Sequence, residues 1–282
     1  MTLGKGRLRL RPAPQRGALG TRLHEVDALA AAGLVGGAMW AELRLRARAL
    51  KYRYRLDRAE LAFLRACVAP GHIAVDLGAH KGAYTYWLAK AVGSTGRVLA
   101  VEPQPLLAAR LRSLMASRSQ VVVHGAAASD ATAEGTLSLA PNGSSHAASI
   151  AGFPDGRVGP TVTVPTITLA DLVSTYQLPR VDFIKCDIEG HEARVFSAAT
   201  ELLRAWRPVI LCECEERHAV DERGGVDGLR RVMEPCGYRM SFFYRRELLP
   251  VEQFDAAIHQ RVGHAHYGNN FVLWCDSVRR GL

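Results

Sequence analysis

Seven short apolar runs constrain this chain more than any other feature of it. They are HIAVDL (72–77), RVLAVE (97–102), QVVVHG (120–125), VDFIKCD (181–187), RPVILCE (207–213), YRMSFFY (238–244) and NFVLWCD (270–276). Helical segments fall between most of them, at 83–92, 104–117, 168–176, 190–204 and 226–236. Strands that are apolar almost throughout need cover on both faces, and intervening helices supply it, so the alternation predicts a parallel α/β sheet. The last two runs lack a capped helix between them, as an antiparallel hairpin at a sheet edge would. Residues 134–168 break the rhythm: EGTLSL, NGSSHAAS and TVTVPTITL read as a small β insertion with a Gly/Ser-rich loop, the kind of element that serves as a lid or substrate contact.

The N-terminal part is different in composition. The 282 residues carry a net +9, and residues 1–60 account for +8 of it, with 13 Lys/Arg against 5 Asp/Glu. Residues 1–20, rich in Arg, Pro and Gly, read as a disordered arm. AELRLRARALKYRYR (41–55) reads as a basic helix. LDRAELAFLRACV then offers Asp57 as an N-cap with Glu60 three residues on, a capping box, and APG (69–71) stops that helix. These features predict a basic N-terminal extension over 1–56 and one domain over 57–282. The extension could meet nucleic acid, an anionic surface or an acidic partner, or be a solvated helix face. Arginine outnumbers lysine 31 to 5, which together with the alanine excess fits base-composition bias better than selection for binding.

ALAAAGLVGGAMW (28–40) follows Glu25 and Asp27 and is shorter than the roughly 20 residues of a bilayer span. It also lacks a signal peptide's basic flank. The six cysteines form no CxxC pair and lie mostly in apolar runs, as free thiols of a reducing compartment do. Cys212-x-Cys214 has no second pair to complete a zinc site. A cytoplasmic protein without a bound metal is the expectation.

VDLGAHKGAYTYWLAK (75–90) reads as strand, glycine turn and helix. Gly78 and Gly82 let backbone pass close to a ligand, and the helix start offers free N–H groups. The spacing Asp-x-Gly-x-x-x-Gly is not the dinucleotide G-x-G-x-x-G. Asp76 before the turn would repel a pyrophosphate and suits a cofactor with a cationic amino-acid end, such as S-adenosylmethionine. Glu102 ends the second strand, 26 residues on, where a carboxylate can accept from two ribose hydroxyls. His124–Ala127, small at Ala126, would lie beside the adenine. The cofactor set is then Asp76, Gly78, Ala79, His80, Gly82, Tyr84, Thr85, Glu102, Ala126 and Asp187.

With these residues in view the chain resembles the FkbM family of S-adenosylmethionine-dependent methyltransferases. DLGAHKGAYT (76–85) with VEP (101–103), VDFIKCDIEGHE (181–192) and PVILCE (208–213) carry the resemblance, over about residues 58–276. Two departures are mild: His80 stands where asparagine is common, within reach of the cofactor carboxylate, and Cys186 replaces a β-branched residue. The resemblance implies a Rossmann-like class I methyltransferase, with a seven-stranded, mostly parallel sheet and one antiparallel edge strand. It also implies methyl transfer to a hydroxyl of a sugar, polyketide or other secondary metabolite.

The block 181–192 holds Lys185, Asp187, Glu189, His191 and Glu192. In a strand, Phe183, Lys185 and Asp187 share one face and Ile184 and Cys186 the other. In the implied fold this strand lies beside the first at the topological switch point, which brings Asp187 to the transferable methyl group. Asp187, Glu189 and His191 are candidate general bases for an alcohol, and Lys185 could pair with Asp187 and keep it ionised. Glu189 and Glu192 could instead be helix-start carboxylates. Three further alternatives stand: Mg²⁺ held by Asp187, Glu189 and Glu213 in a sugar O-methyltransferase, a nucleic-acid or protein methyltransferase steered by the basic arm, and a scaffold that binds cofactor without catalysis. The body lacks an Asn/Asp-Pro-Pro-Tyr block for attack by an amino nitrogen. His264 or His266 could face the acceptor or lie in a polar turn.

Overall fold

Each of the seven apolar runs forms a strand, and most are buried along nearly their whole length. The computed structural model describes residues 37–140, 148–150, 152, 159–219, 221 and 223–276. The expected arm at 1–20, residues 28–36 of the apolar stretch and 142–147 of the Gly/Ser loop lie outside the described residues.

The described residues begin with α1 (Gly37–Lys51), which runs into a π-helical turn at Tyr52–Leu56, and then α2 (Arg58–Cys67). There follow β1 (Ile73–Leu77), α3 (Ala83–Val92), β2 (Arg97–Val101), α4 (Pro105–Met115) and β3 (Val121–His124). The insertion comprises β4 (Ala127–Ala128), β5 (Glu134–Leu139), β6 (Ala148–Ser149) and β7 (Thr161–Ile167). Next come α5 (Leu169–Thr175), β8 (Phe183–Cys186), α6 (Glu192–Ser197), α7 (Thr200–Trp206), β9 (Val209–Glu213) and α8 (Gly225–Met233). The last described elements are β10 (Arg239–Tyr244), β11 (Glu247–Pro250), α9 (Ala256–His259) and β12 (Asn270–Trp274).

Among the described residues, eight strands form one sheet in the order β11-β10-β12-β9-β8-β1-β2-β3. From β3 to β9 the pairing is parallel throughout. The side chains alternate as strand geometry demands: Val75, Ile184 and Ile210 pack on one face, Ala74, Phe183 and Leu211 on the other. This is the expected Rossmann-like α/β architecture, with two differences. The sheet has eight strands rather than seven, and the antiparallel strand β12 lies between β9 and β10 instead of at the edge. Asn270, Phe271, Val272 and Leu273 of β12 are buried, so that strand belongs in the interior. The edge falls to β11, which hairpins onto β10, is half-exposed and ends in Pro250. A short, proline-ended strand is what an unpaired edge tolerates.

The basic helix α1 packs against α3 and α4. Leu45 and Ala49 are fully buried, the Trp87 indole donates to the Ala49 carbonyl at 2.9 Å, and Arg118 pairs with Glu42 at 2.6 Å. Asp57 precedes α2 as expected, but its side chain does not cap that helix. Its Oδ2 accepts instead from the Tyr84 hydroxyl at 2.8 Å, a tertiary bond that outcompetes the local one. Among the described residues no helix is long and apolar enough to cross a membrane. The insertion forms a second sheet, β4-β7-β5-β6, around Ala127, Leu137 and Val164.

β1 lies between β2 and β8, and from it the chain builds outward in both directions, which opens a crevice at the carboxyl ends of the strands. Gly78 turns there at φ +79°, and a Cβ on it would come within 1.8 Å of the Asp187 carbonyl oxygen. Neither neighbour can give way, since both are backbone. Gly78→Ala should therefore cost about 2–4 kcal/mol, combining overpacking with left-handed strain, measured by chemical denaturation. A loss below about 0.5 kcal/mol would contradict the close approach.

Candidate active site

Two clefts, of about 300 and 260 Å³, open at the carboxyl ends of β1 and β8 and share Tyr52, Gly78, His80, Asp187 and Glu213. The larger runs past Glu102 and Gln104 to Ala127 and Ala128, under Leu137 and Ile150 of the insertion, and past Glu189, His191 and Glu215. The smaller lies beneath α1, between Arg48 and Asp57 on one side and Asp76, Lys185 and Asn270 on the other.

The residues expected around the cofactor divide between the clefts and the packing behind them. Asp76, Gly78, Ala79, His80, Tyr84, Glu102 and Asp187 line one or both clefts, whereas Gly82, Thr85 and Ala126 line neither. Thr85 donates to Asp76 Oδ2 at 2.6 Å and so orients that carboxylate from behind. Gly82 leaves room for Leu111, whose Cδ1 a Cβ there would meet at 2.5 Å. Glu102 is buried, and its two oxygens accept from the backbone N–H groups of His80 at 2.7 Å and Gln104 at 2.9 Å. Each oxygen keeps a further lone pair for a ligand hydroxyl. Burial pushes Glu102 up to about 7 against these two bonds. It likewise pushes Asp76 up to about 6, opposed by Thr85 and Lys185.

The charged block sits where β8 ends. Lys185 is fully buried, with Nζ donating to the Cys186 carbonyl at 3.1 Å and lying 5.0 Å from the centroid of the Tyr84 ring. The expected direct pairing with Asp187 is thus replaced by a longer-range attraction. Burial disfavours the charged form of Lys185, but Asp187 and Glu213 outweigh it and raise the ammonium well above its ordinary value. Glu189 adopts φ +56° and His80 φ +48°, two strained non-glycine residues that both border the cleft. Burial, then Asp187 and the neighbouring glutamates, push Glu189 up to about 9, and its Oε2 lies 3.0 Å from His218 Nδ1. Glu192 turns away from the clefts to accept from the Gly190 N–H at 3.0 Å. His264 and His266 are exposed and line neither cleft.

Glu215, Arg48, Tyr52 and Asp57 also line the clefts and were not singled out as site residues in the sequence. The string CECEE (212–216) held a signal for Glu215, since Glu213 and Glu215 are two apart. Burial would raise Glu215, but Arg217 and Tyr267, both hydrogen-bonded to it, hold it below the usual carboxylate value. Among the described residues no group of three His, Cys, Asp or Glu side chains is arranged to hold a metal ion.

The donor set fits a ligand with a flat base at one end and a charged amino-acid group at the other. Ala127, Ala128, Leu137 and Ile150 offer apolar walls beyond Glu102. The smaller cleft contains Asn270, whose Oδ1 is buried without a hydrogen-bond partner among the described residues. An orphaned acceptor of this kind calls for a donor from a ligand or water.

A family model for the methyltransferase FkbM domain matches residues 76–240. No curated protein matches the chain. Among solved structures, an FkbM methyltransferase from Methylobacillus flagellatus KT is 14% identical, with a TM-score of 0.45 over 90% of this chain and 59% of that one. A SAM-dependent O-methyltransferase from Thermotoga maritima is 16% identical, with a TM-score of 0.40 over 77% of this chain and 64% of that one. An O-methyltransferase from Bacillus cereus in complex with SAH is 16% identical, with a TM-score of 0.40 over 92% and 90%. The chain thus spans about three fifths of the length of the first two.

The raised carboxylates make stability depend on pH. Folded Asp76, Glu102 and Glu192 keep protons up to about 6, 7 and 7, against ordinary values of 3.8, 4.5 and 4.5. The native state then binds more protons than the unfolded chain, so the stability present below the unfolded values is lost as pH rises to about 7. The ligand-free protein should melt at a higher temperature at pH 5 than at pH 8. Glu102→Gln should shrink that difference, and an unchanged difference in a pH series of thermal melts would refute the assignment.

Proposed function

The chain belongs to the FkbM family of S-adenosylmethionine-dependent methyltransferases, and on that premise we propose that it methylates a hydroxyl of a small molecule or glycan. The cofactor, when bound, supplies an electrophilic methyl group on a sulfonium. What the protein must add is a site that holds a hydroxyl beside that group and accepts its proton.

His191 carries this reading. Ser129 Oγ donates to Asp130 at 3.1 Å and lies 3.0 Å from His191 Nε2. Both contacts are satisfied together when Nε2 bears the hydrogen and Ser129 accepts from it. Nδ1 is then a bare acceptor, buried and without a partner among the described residues, on a ring that lines the larger cleft. Burial lowers His191 below its ordinary value of 6.5, so the ring is neutral and able to take a proton at pH 7. Glu189, pushed up to about 9, is protonated there and suits hydrogen bonding to the acceptor rather than proton removal. Asp187 borders both clefts, where its side chain would lie beside a bound sulfonium. The six cysteines are free and five are buried, which supports a reducing, cytoplasmic setting.

The test is transfer of a radiolabelled methyl group from S-adenosylmethionine to a panel of sugars and polyketide alcohols, with RNA and protein as parallel arms. Label in RNA or protein alone would overturn the reading. With an accepted alcohol, kcat/KM should rise with pH through a midpoint below 6.5, as a base that must be unprotonated requires. His191→Gln should remove that limb and lower kcat by roughly 10²–10⁴-fold. A midpoint near 9 would reassign the base to Glu189.

A further inference from the structure

We propose that Arg48 anchors the carboxylate at the amino-acid end of the cofactor, which makes the N-terminal helix part of the cofactor site rather than an accessory arm. The inference rests on the S-adenosylmethionine reading and adds a residue outside the matched region 76–240.

Arg48 lines the smaller cleft together with the glycine turn at Gly78, Ala79 and Lys81. Its guanidinium is half-buried and makes one long hydrogen bond, to the Lys81 carbonyl at 3.5 Å. Glu42, the sole carboxylate on α1, is taken up by Arg46 at 2.7 Å and Arg118 at 2.6 Å. Arg110 and Lys81 stand close enough to repel Arg48, and among the described residues no carboxylate forms an ion pair with any of the three. Burial accordingly lowers Arg48 from its ordinary value, as happens to a cation taken from water without an anion in exchange. A carboxylate ligand would supply that anion, and the planar fork of arginine can hold it through two parallel hydrogen bonds.

The same cleft carries groups for the other half of an α-amino acid. Asp57 and the unpartnered Oδ1 of Asn270 are acceptors suited to an ammonium group. Cationic and acceptor groups in one cleft match a zwitterion better than a lone anion or a lone cation.

Calorimetric titration of the full chain separates the amino-acid end from the nucleoside. S-adenosylhomocysteine carries that end, and 5′-methylthioadenosine keeps the nucleoside and thioether without it. Arg48→Ala should weaken S-adenosylhomocysteine by about 10–100-fold, the scale of a charge-assisted hydrogen-bonded pair, and leave methylthioadenosine unchanged. Arg48→Lys should recover part of the loss. Equal weakening of both ligands would show a structural role and overturn the proposal, as would unchanged S-adenosylhomocysteine affinity or a larger selective loss in Lys81→Ala. A wild-type chain that binds neither ligand would overturn the cofactor reading itself. That outcome differs from a wild type that binds both while Arg48→Ala fails to discriminate between them.

Discussion

Backbone meets backbone where the turn after β1 crosses the end of β8, and the rest of the site depends on that crossing. Gly78 has no side chain to hold the two apart, and its N–H and that of Ala79 both donate to the Val101 carbonyl at 3.0 Å. The Asp187 N–H in turn bonds the Leu77 carbonyl at 3.0 Å. Three strand ends are thereby tied together by main-chain bonds alone. Side chains placed at those ends, Asp76, Glu102 and Asp187, inherit fixed starting points whatever the outer helices do.

Charge is the second constraint. Glu189, Glu213 and Asp187 stand around the meeting point of the two clefts, and burial with mutual repulsion drives Glu213 well above its ordinary value. Lys185 beneath them is the buried counter-charge, supported by the face of the Tyr84 ring and held by a carbonyl. A buried ammonium is costly unless opposite charges and acceptors surround it. Here Asp187 and Glu213 offset the burial of the ammonium, and Lys185 in turn opposes the upward shift of Glu213.

The sheet was largely legible in the sequence because strands buried on both faces leave continuous apolar runs. So was the crevice, since Asp76, Gly78, Glu102 and Asp187 follow from strand ends and spacing. What was hidden is long-range. Asp57 satisfies every local rule for a capping box, yet Tyr84, 27 residues on, claims its carboxylate. The helix expected over 190–204 breaks between α6 and α7, with Ala199 leaving helical geometry, and alanine gives no sequence warning of that. Arg48 and Tyr52 reach the clefts only because Leu45 and Ala49 bury against α3 and α4, and a count of basic residues cannot separate such a helix from a solvated one. β11 was missed because four residues ending in proline carry little strand signal.

The insertion meets the site lightly. The Ser149 hydroxyl donates to the Glu189 carbonyl at 2.8 Å, and Leu137 and Ile150 roof the larger cleft. Its four strands pair with one another and not with the eight-stranded sheet. Drift in the insertion can therefore remodel the apolar walls of the larger cleft while the strand ends that bear Asp76, Glu102 and Asp187 stay as they are. Over generations, the lining of that cleft and the frame beneath it are heritable as separate traits.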